Sequence, residues 1–242
     1  MIMPSISWFV KDQRDVDIVK EFAIDLAINV QVAFYERRDA ENWMYKIAEC
    51  SPSVTSIHLP KGLEVNDYDA NGIVAELSSL YDIKRFVVHP WCKDLMHIAE
   101  FVKMAEWTLS FECFSRKGAA NPFLLLAQFG EEFKENHIGL CVDFSHLETD
   151  LATPGFVKGL LPYTKMLHIS NRLKKQQHLP IFVQSSDTNA QQILAQVLDV
   201  PSCPVKDMVL EYMPDYRDRL AKQYYWLESY IQQKRRKFNG TV

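Results

Sequence analysis

The sequence predicts an α/β protein built as one (β/α)8 barrel, with residues 1–242 forming a single domain. Three observations predict it. Short β-rich runs alternate strictly with helical stretches, eight of each, which implies a parallel sheet with helices outside it. The repeat is roughly 30 residues long, so eight repeats match the size of about 250 residues usual for a TIM barrel. Residues 10–15 read VKDQRD, without glycine. The alternative, an open doubly wound sheet, normally carries a glycine-rich turn after its first strand.

The strand runs are residues 5–10 (SISWFV), 29–35 (NVQVAFY), 54–59 (VTSIHL), 85–89 (RFVVH), 108–114 (TLSFECF), 138–144 (IGLCVDF), 166–170 (MLHIS) and 208–212 (MVLEY). Each is short and rich in β-branched and aromatic residues, as a buried strand requires. The helical stretches are 15–27, 41–50, 70–81, 93–107, 122–136, 154–163, 188–198 and 217–233. In the first, Val16, Ile18, Val19, Phe22, Ala23 and Leu26 fall on one face. Pro122 and Pro154 stand in first turns, where a helix tolerates proline. No linker interrupts the pattern, and the tail KRRKFNGTV (234–242) reads as a frayed end.

Hydrophobic residues make up 48% and charged residues 24%, which places the chain among soluble globular proteins. No apolar run approaches the roughly 20 residues of a membrane span. The net charge of −4 offers no global basic field for nucleic acid. Five cysteines, odd in number and without a CxxC pair, argue against a zinc ribbon and for a reduced, cytoplasmic compartment. The N-terminus lacks the basic region of a signal peptide.

The chemistry lies at the C-terminal strand ends. The third strand ends in His58 and the fourth in His89. Glu112 lies on the fifth, Asp143 on the sixth with His146 after it, His168 on the seventh with His178 beyond, and Glu211 on the eighth. All these ends open on one face of a parallel barrel, the face where active sites are found. His97 and His137 fall on helical segments, away from it. Alternation turns Glu112, Asp143, His168 and Glu211 inward, because their neighbours suit the helix side. Two carboxylates about 5 Å apart repel by roughly 3 kcal/mol at an effective dielectric of about 20. No lysine or arginine stands at these strand ends. Three acids in one mouth must therefore be protonated, meet protonated bases or hold a cation. Mixed carboxylate and imidazole ligands suit Mn, Zn, Co or Fe. Cys141 faces the interior one layer down and reads as core.

The strings SIHLP (56–60), VVHP (87–90), SFEC (110–113), GLCVDFSH (139–146), MLHIS (166–170), HLPI (178–181) and VLEY (209–212) together resemble the xylose isomerase-like TIM-barrel superfamily. It includes sugar isomerases and epimerases and the endonuclease IV-type nucleases. The epimerase resemblance implies one divalent ion (Mn, Zn, Co or Mg) held by Glu112, Asp143, His168 and Glu211. It makes Glu112 and Glu211 the catalytic acid and base, moving a proton next to the carbonyl of a sugar or sugar phosphate. His146 matches a substrate-contacting histidine and, with His58, His89 and His178, is a candidate additional metal ligand. Glu36, at the end of the second strand, is a candidate substrate contact or a partner of Arg37. Trp91 is a candidate wall for a sugar ring or a core residue.

Two departures stand out. The epimerases carry a substrate-gripping arginine after the seventh-strand histidine; residues 171–175 here read NRLKK, leaving Arg172 and Lys174 as candidates. HLPI runs into Phe182 rather than a glycine turn. The nuclease resemblance implies a three-zinc cluster that adds His58, His89 and His178, but it asks for an aspartate where Gln176 stands. The rim cations Arg37, Arg38, Arg172, Lys174 and Lys175 suit a sugar phosphate or a solvated rim as well as they suit DNA. The expectation is a metal-dependent isomerase or epimerase without a nucleic-acid or membrane partner. A zinc phosphodiesterase and a ligand-binding barrel without activity are the alternatives. A homo-oligomer is an open expectation.

Overall fold

A computed structural model describes residues 2–60, 68–90, 95–113, 118, 120–134, 137–148, 150–182, 189–200 and 203–239. Eight parallel strands close a barrel: β1 (Met3–Phe9), β2 (Val30–Ala33), β3 (Val54–His58), β4 (Arg85–Val88), β5 (Thr108–Cys113), β6 (Ile138–Asp143), β7 (Thr164–Ile169) and β10 (Asp207–Glu211). Between the last two lies an antiparallel hairpin of β8 (Asn171–Leu173) and β9 (Gln176–Leu179). The barrel strands neighbour one another in chain order, and β10 closes the ring against β1 with Ser7 opposite Glu211. The helices are α1 (Gln13–Lys20), α2 (Arg37–Trp43), α3 (Tyr68–Tyr81), α4 (Leu95–Met104), α5 (Pro122–Phe129), α6 (Pro154–Leu160), α7 (Ala190–Leu198) and α8 (Arg217–Asn239). Among the described residues no helix is long and apolar enough to cross a membrane.

Caps set several helix starts. Asp12 accepts from the Asp15 amide at 3.0 Å, so α1 begins before the expected residue 15. Asn121 accepts from the amides of Phe123 and Leu124, and Pro122 takes the first helical position, where it has no amide to satisfy. Five expected helices need correction. Residues 15–27 change from α-helix to a wider π turn at Glu21–Asp25. The stretch expected as helix over 41–50 is α2 followed by a 3-10 run, Met44–Ser53, that contains Pro52. The stretch 122–136 is α5 followed by a 3-10 turn at Glu132–Lys134, and 154–163 is α6 followed by one at Leu161–Tyr163. The KRRK segment continues α8 to Asn239 instead of fraying at 234.

Strand alternation divides the core in two. Outward, Phe111 packs its ring 4.7 Å from Phe129 of α5 and 6.0 Å from Phe133. Truncating such a buried ring to alanine costs about 3–5 kcal/mol. Inward, Val87, Cys141, Met166 and Val209 fill the middle of the barrel. Gln31 joins them, its Nε2 donating to Ser56 Oγ at 3.0 Å. Cys141 is thus a core residue, and burial pushes its thiol up to about 12.

An ion pair spans the N-terminal end. Arg85 Nη1 lies 3.0 Å from Asp207 Oδ1, and Arg85 Nε donates to the Thr55 carbonyl at 3.0 Å. Burial raises the Asp207 carboxyl to about 6, although Arg85 and Lys206 pull it down. Three non-glycine residues on this side, Ala27, Asp82 and Glu106, take φ of 51°, 50° and 56° where the chain leaves a helical segment.

Candidate metal centre

Glu112 is the hub of the C-terminal mouth. Its Oε2 lies 2.8 Å from His89 Nε2 and 3.4 Å from His58 Nε2. Its Oε1 lies 3.3 Å from His168 Nδ1 and 3.7 Å from His146 Nδ1. Phe111 and Cys113 anchor β5 on the helix side, and this fixes the inward direction of Glu112 between them.

Asp143, at the end of β6, is oriented by the turn that follows it. Its Oδ1 accepts from the Ser145 amide at 2.8 Å, the Ser145 hydroxyl at 3.0 Å and the His146 amide at 3.2 Å. Its Oδ2 is left facing the cluster, 3.3 Å from His146 Nδ1 and 3.9 Å from His168 Nδ1. Such outer hydrogen bonds are what hold a ligating carboxylate in place. On the far side, Glu211 Oε2 lies 2.6 Å from His168 Nδ1, in an alignment that gives neither atom a hydrogen bond.

Ligand atoms of Glu112, Asp143, His168 and Glu211 all lie within 4.8 Å of one another, and all four residues are buried. Asp143 Oδ2, Glu211 Oε2 and both His168 nitrogens lack hydrogen-bond partners. Buried polar atoms without partners cost about 1–3 kcal/mol each, more when charged. Several such atoms aimed at one point are the mark of a cation site. The donor set of three carboxylates and an imidazole fits a divalent ion. Two further groupings share these residues: His58 with Glu112 and His168, and Asp143 with His146 and His178.

The electrostatics agree with the geometry. Burial would raise the Glu112 carboxyl, but contacts from His146, His168, His58 and His89 hold it well below the usual carboxylate range. Burial also opposes ionisation of Glu211, and His168 and His178 outweigh it. His146 is raised to about 9 by Asp143 and Glu112 against the effect of its own burial. His168 rises well above the ordinary histidine range, because the carboxylates of Glu211 and Glu112 overcome its desolvation. Imidazolium protons therefore balance the acids, and no lysine or arginine among the described residues lines the mouth.

The mouth has a volume of about 240 Å3 and is lined by His58, His89, Glu112, His146, His178 and Glu211, with Phe9, Tyr35 and Gln177 at its edge. His146 and His178 meet edge to face, with ring centroids 4.6 Å apart. Not every candidate converges here. Glu36 caps α2 and pairs with Arg38 at 2.9 Å, rather than with Arg37, which reaches Glu41 at 2.7 Å. Arg172 donates to the Leu147 carbonyl at 2.9 Å, tying β8 to the loop after β6. Lys174 is exposed in the hairpin turn with a φ of 55°. Gln176 turns toward the Tyr216 hydroxyl at 3.4 Å, away from the cluster. Trp91 lies outside the described residues. Phe9, Tyr35 and Gln177 are the lining residues that sequence reasoning passed over; Gln177 gave no signal, and the two aromatics gave a weak one. Their signal was their place at the ends of the first two strands, where apolar residues read simply as core.

Fold and site define a (β/α)8 barrel with a buried carboxylate–imidazole cluster at its C-terminal mouth. No family model and no curated protein matches the sequence. Among solved structures, the chain is similar to a sugar phosphate isomerase/epimerase from Parabacteroides distasonis, with 10% identity over 92% of this chain and 93% of that one and a TM-score of 0.55. It is also similar to a D-tagatose 3-epimerase-like protein, with 12% identity over 94% and 90% of the two chains and a TM-score of 0.49. At 10% identity the likeness to the isomerase/epimerase is one of fold, and that fold is the expected (β/α)8 barrel.

Proposed function

We propose that this chain is a divalent-metal-dependent isomerase or epimerase that moves a proton next to the carbonyl of a sugar or sugar phosphate. The observation that carries the reading is the buried set of Glu112, Asp143, His168 and Glu211, with partnerless atoms converging within 4.8 Å. These four would hold the ion, which would polarise the substrate carbonyl and stabilise the negative charge developing on its oxygen.

The remaining steps belong to the side chains. β10 and β5 flank the β7–β6 pair, so Glu211 and Glu112 approach the cluster from opposite sides. Both are held ionised. One takes a proton from the carbon beside the carbonyl; the returning proton comes from that same carboxyl, now protonated, or from the other glutamate after it has taken one from a neighbouring imidazolium, His146 in the case of Glu112. His146, at the edge of the mouth, binds a substrate hydroxyl. The small mouth limits the water that competes for the transferred proton.

One observation favours a second reading, a zinc phosphodiesterase. His58 and His89 both meet Oε2 of Glu112, while Oε1 faces the His168 side. A carboxylate so placed can bridge two cations. The outward turn of Gln176 weighs against a third.

Elemental analysis of protein purified without chelator separates the readings. About one metal per chain, with deuterium entering a ketose from heavy water at the carbon beside the carbonyl, supports proton transfer. Two or three zincs per chain, with nicking of an abasic duplex, would replace it with ester hydrolysis.

A further inference from the structure

Beside the mouth lies a larger hollow of about 610 Å3, walled by β1 and its following loop, the start of α2, and Tyr212 and Pro214 after β10. Phe9 and Tyr35 line both cavities. Their rings meet edge to face at 6.4 Å, and Phe9 also leans on His58 at 5.9 Å. An aromatic partition of this kind offers apolar faces to ligand groups on either side. The mouth alone is smaller than the roughly 300–1,000 Å3 of a drug-sized ligand pocket, whereas the hollow falls within that range.

The hollow has a polar floor and an acidic wall. Ser7, 2% exposed, lies at its base with an Oγ that has no hydrogen-bond partner. Among the described residues that line it, Asp12, Asp15, Glu36 and Asp39 stand against Lys11 and Arg38. Asp15 already accepts from Trp8 Nε1, Asp12 from the Asp15 amide and Asp39 from the Glu36 amide, and each carboxylate keeps further lone pairs. Arg38 is already paired with Glu36. Carboxylates accept hydrogen bonds from sugar hydroxyls and repel phosphates. Arg37, Arg172, Lys174 and Lys175, the other candidates for holding a phosphate, line neither cavity.

We infer that the hollow is a second sugar subsite, and that the substrate is a neutral saccharide of at least two units rather than a sugar phosphate. Its carbonyl-bearing unit enters the mouth, and the next unit lies across Tyr35 into the hollow. This inference rests on the isomerase reading and narrows its substrate class.

The test is calorimetric titration of the manganese-loaded protein with D-fructose, D-fructose 6-phosphate and the ketose disaccharide lactulose. Lactulose should bind about tenfold or more tighter than fructose, and the phosphate should bind weakest. Tyr35 is half exposed, so Tyr35→Ala should fold, and it should bring the lactulose-to-fructose affinity ratio close to one. Ser7→Ala should lower that ratio by a smaller factor. Fructose exchanging its proton with lactulose binding no tighter would overturn the second subsite and leave the isomerase reading standing. Tightest binding of the phosphate would also overturn it. Failure of the metal-loaded protein to bind any of the three would remove both readings.

Discussion

At the N-terminal end of the barrel the buried acid Asp207 meets Arg85 at 3.0 Å. At the C-terminal end Glu112, Asp143 and Glu211 meet imidazoles. The partners differ in one decisive respect. A guanidinium does not give up its proton, so the pair at the bottom is closed to a metal. An imidazole does, and on losing its proton it becomes a ligand. The same interior thus carries one arrangement finished as structure and another open to chemistry.

The comparison can be tested at four levels, beginning with the largest expected effect. Glu112→Gln should fold yet lose about 10²- to 10⁴-fold in turnover, whereas Asp207→Asn should leave turnover as it is. Full activity in Glu112→Gln would remove the glutamate from the mechanism. Next, Mn²⁺ at a thousand times its dissociation constant should stabilise the fold by about 4 kcal/mol, and chelator should reverse this. Thermal melts with and without EDTA read the shift, and identical melts would argue against the cation site.

The third level is pH. Burial raises folded Asp207 to about 6, above the roughly 3.9 of an unfolded aspartate. Between those values the folded chain keeps a proton that the unfolded chain gives up. The stability from this group is fully present below about pH 4 and is lost as pH rises through 6. Asp207→Asn should therefore gain on wild type by up to about 3 kcal/mol between pH 4 and 7. A difference that stays flat with pH would show that Arg85 keeps Asp207 ionised throughout. The smallest effect is conformational. Glu106 sits at a φ of 56° where glycine is at ease, so Glu106→Gly should add about 0.5–1 kcal/mol. Chemical denaturation measures it.

The two ends also differ in how legible they were. The mouth could be read because polar residues on otherwise apolar strand ends break a period-2 pattern, and Glu112 between Phe111 and Cys113 gives its own direction. The Arg85–Asp207 pair could not, because each residue stands at the start of a strand, where charges are common, and nothing local links two positions so far apart in sequence. The β8–β9 hairpin escaped for another reason. NRLKKQQHL has neither apolar alternation nor a glycine turn, and it turns through Lys174 in a left-handed conformation. The π turn after α1 and the 3-10 run after α2 keep apolar spacings close to those of an α-helix, so periodicity alone could not set them apart. The hollow beside the mouth is assembled from β1, α2 and the end of β10, and no single stretch of sequence announces it.

The seam between β1 and β10 has a consequence for how the chain comes to be folded. Ser7 lies opposite Glu211 across it, so the first strand must wait for the last before the ring can shut. Until β10 pairs, β1 and β7 each lack a neighbour, and the barrel that buries Val87 and Met166 cannot be closed. Pairings between such distant segments form slowly, and their late arrival lengthens the time those edges stay unpaired. When β10 arrives it also delivers Glu211 to His168 and His178, whose attraction outweighs its repulsion from Glu112, so the step that shuts the ring is also the one that completes the charge balance of the mouth.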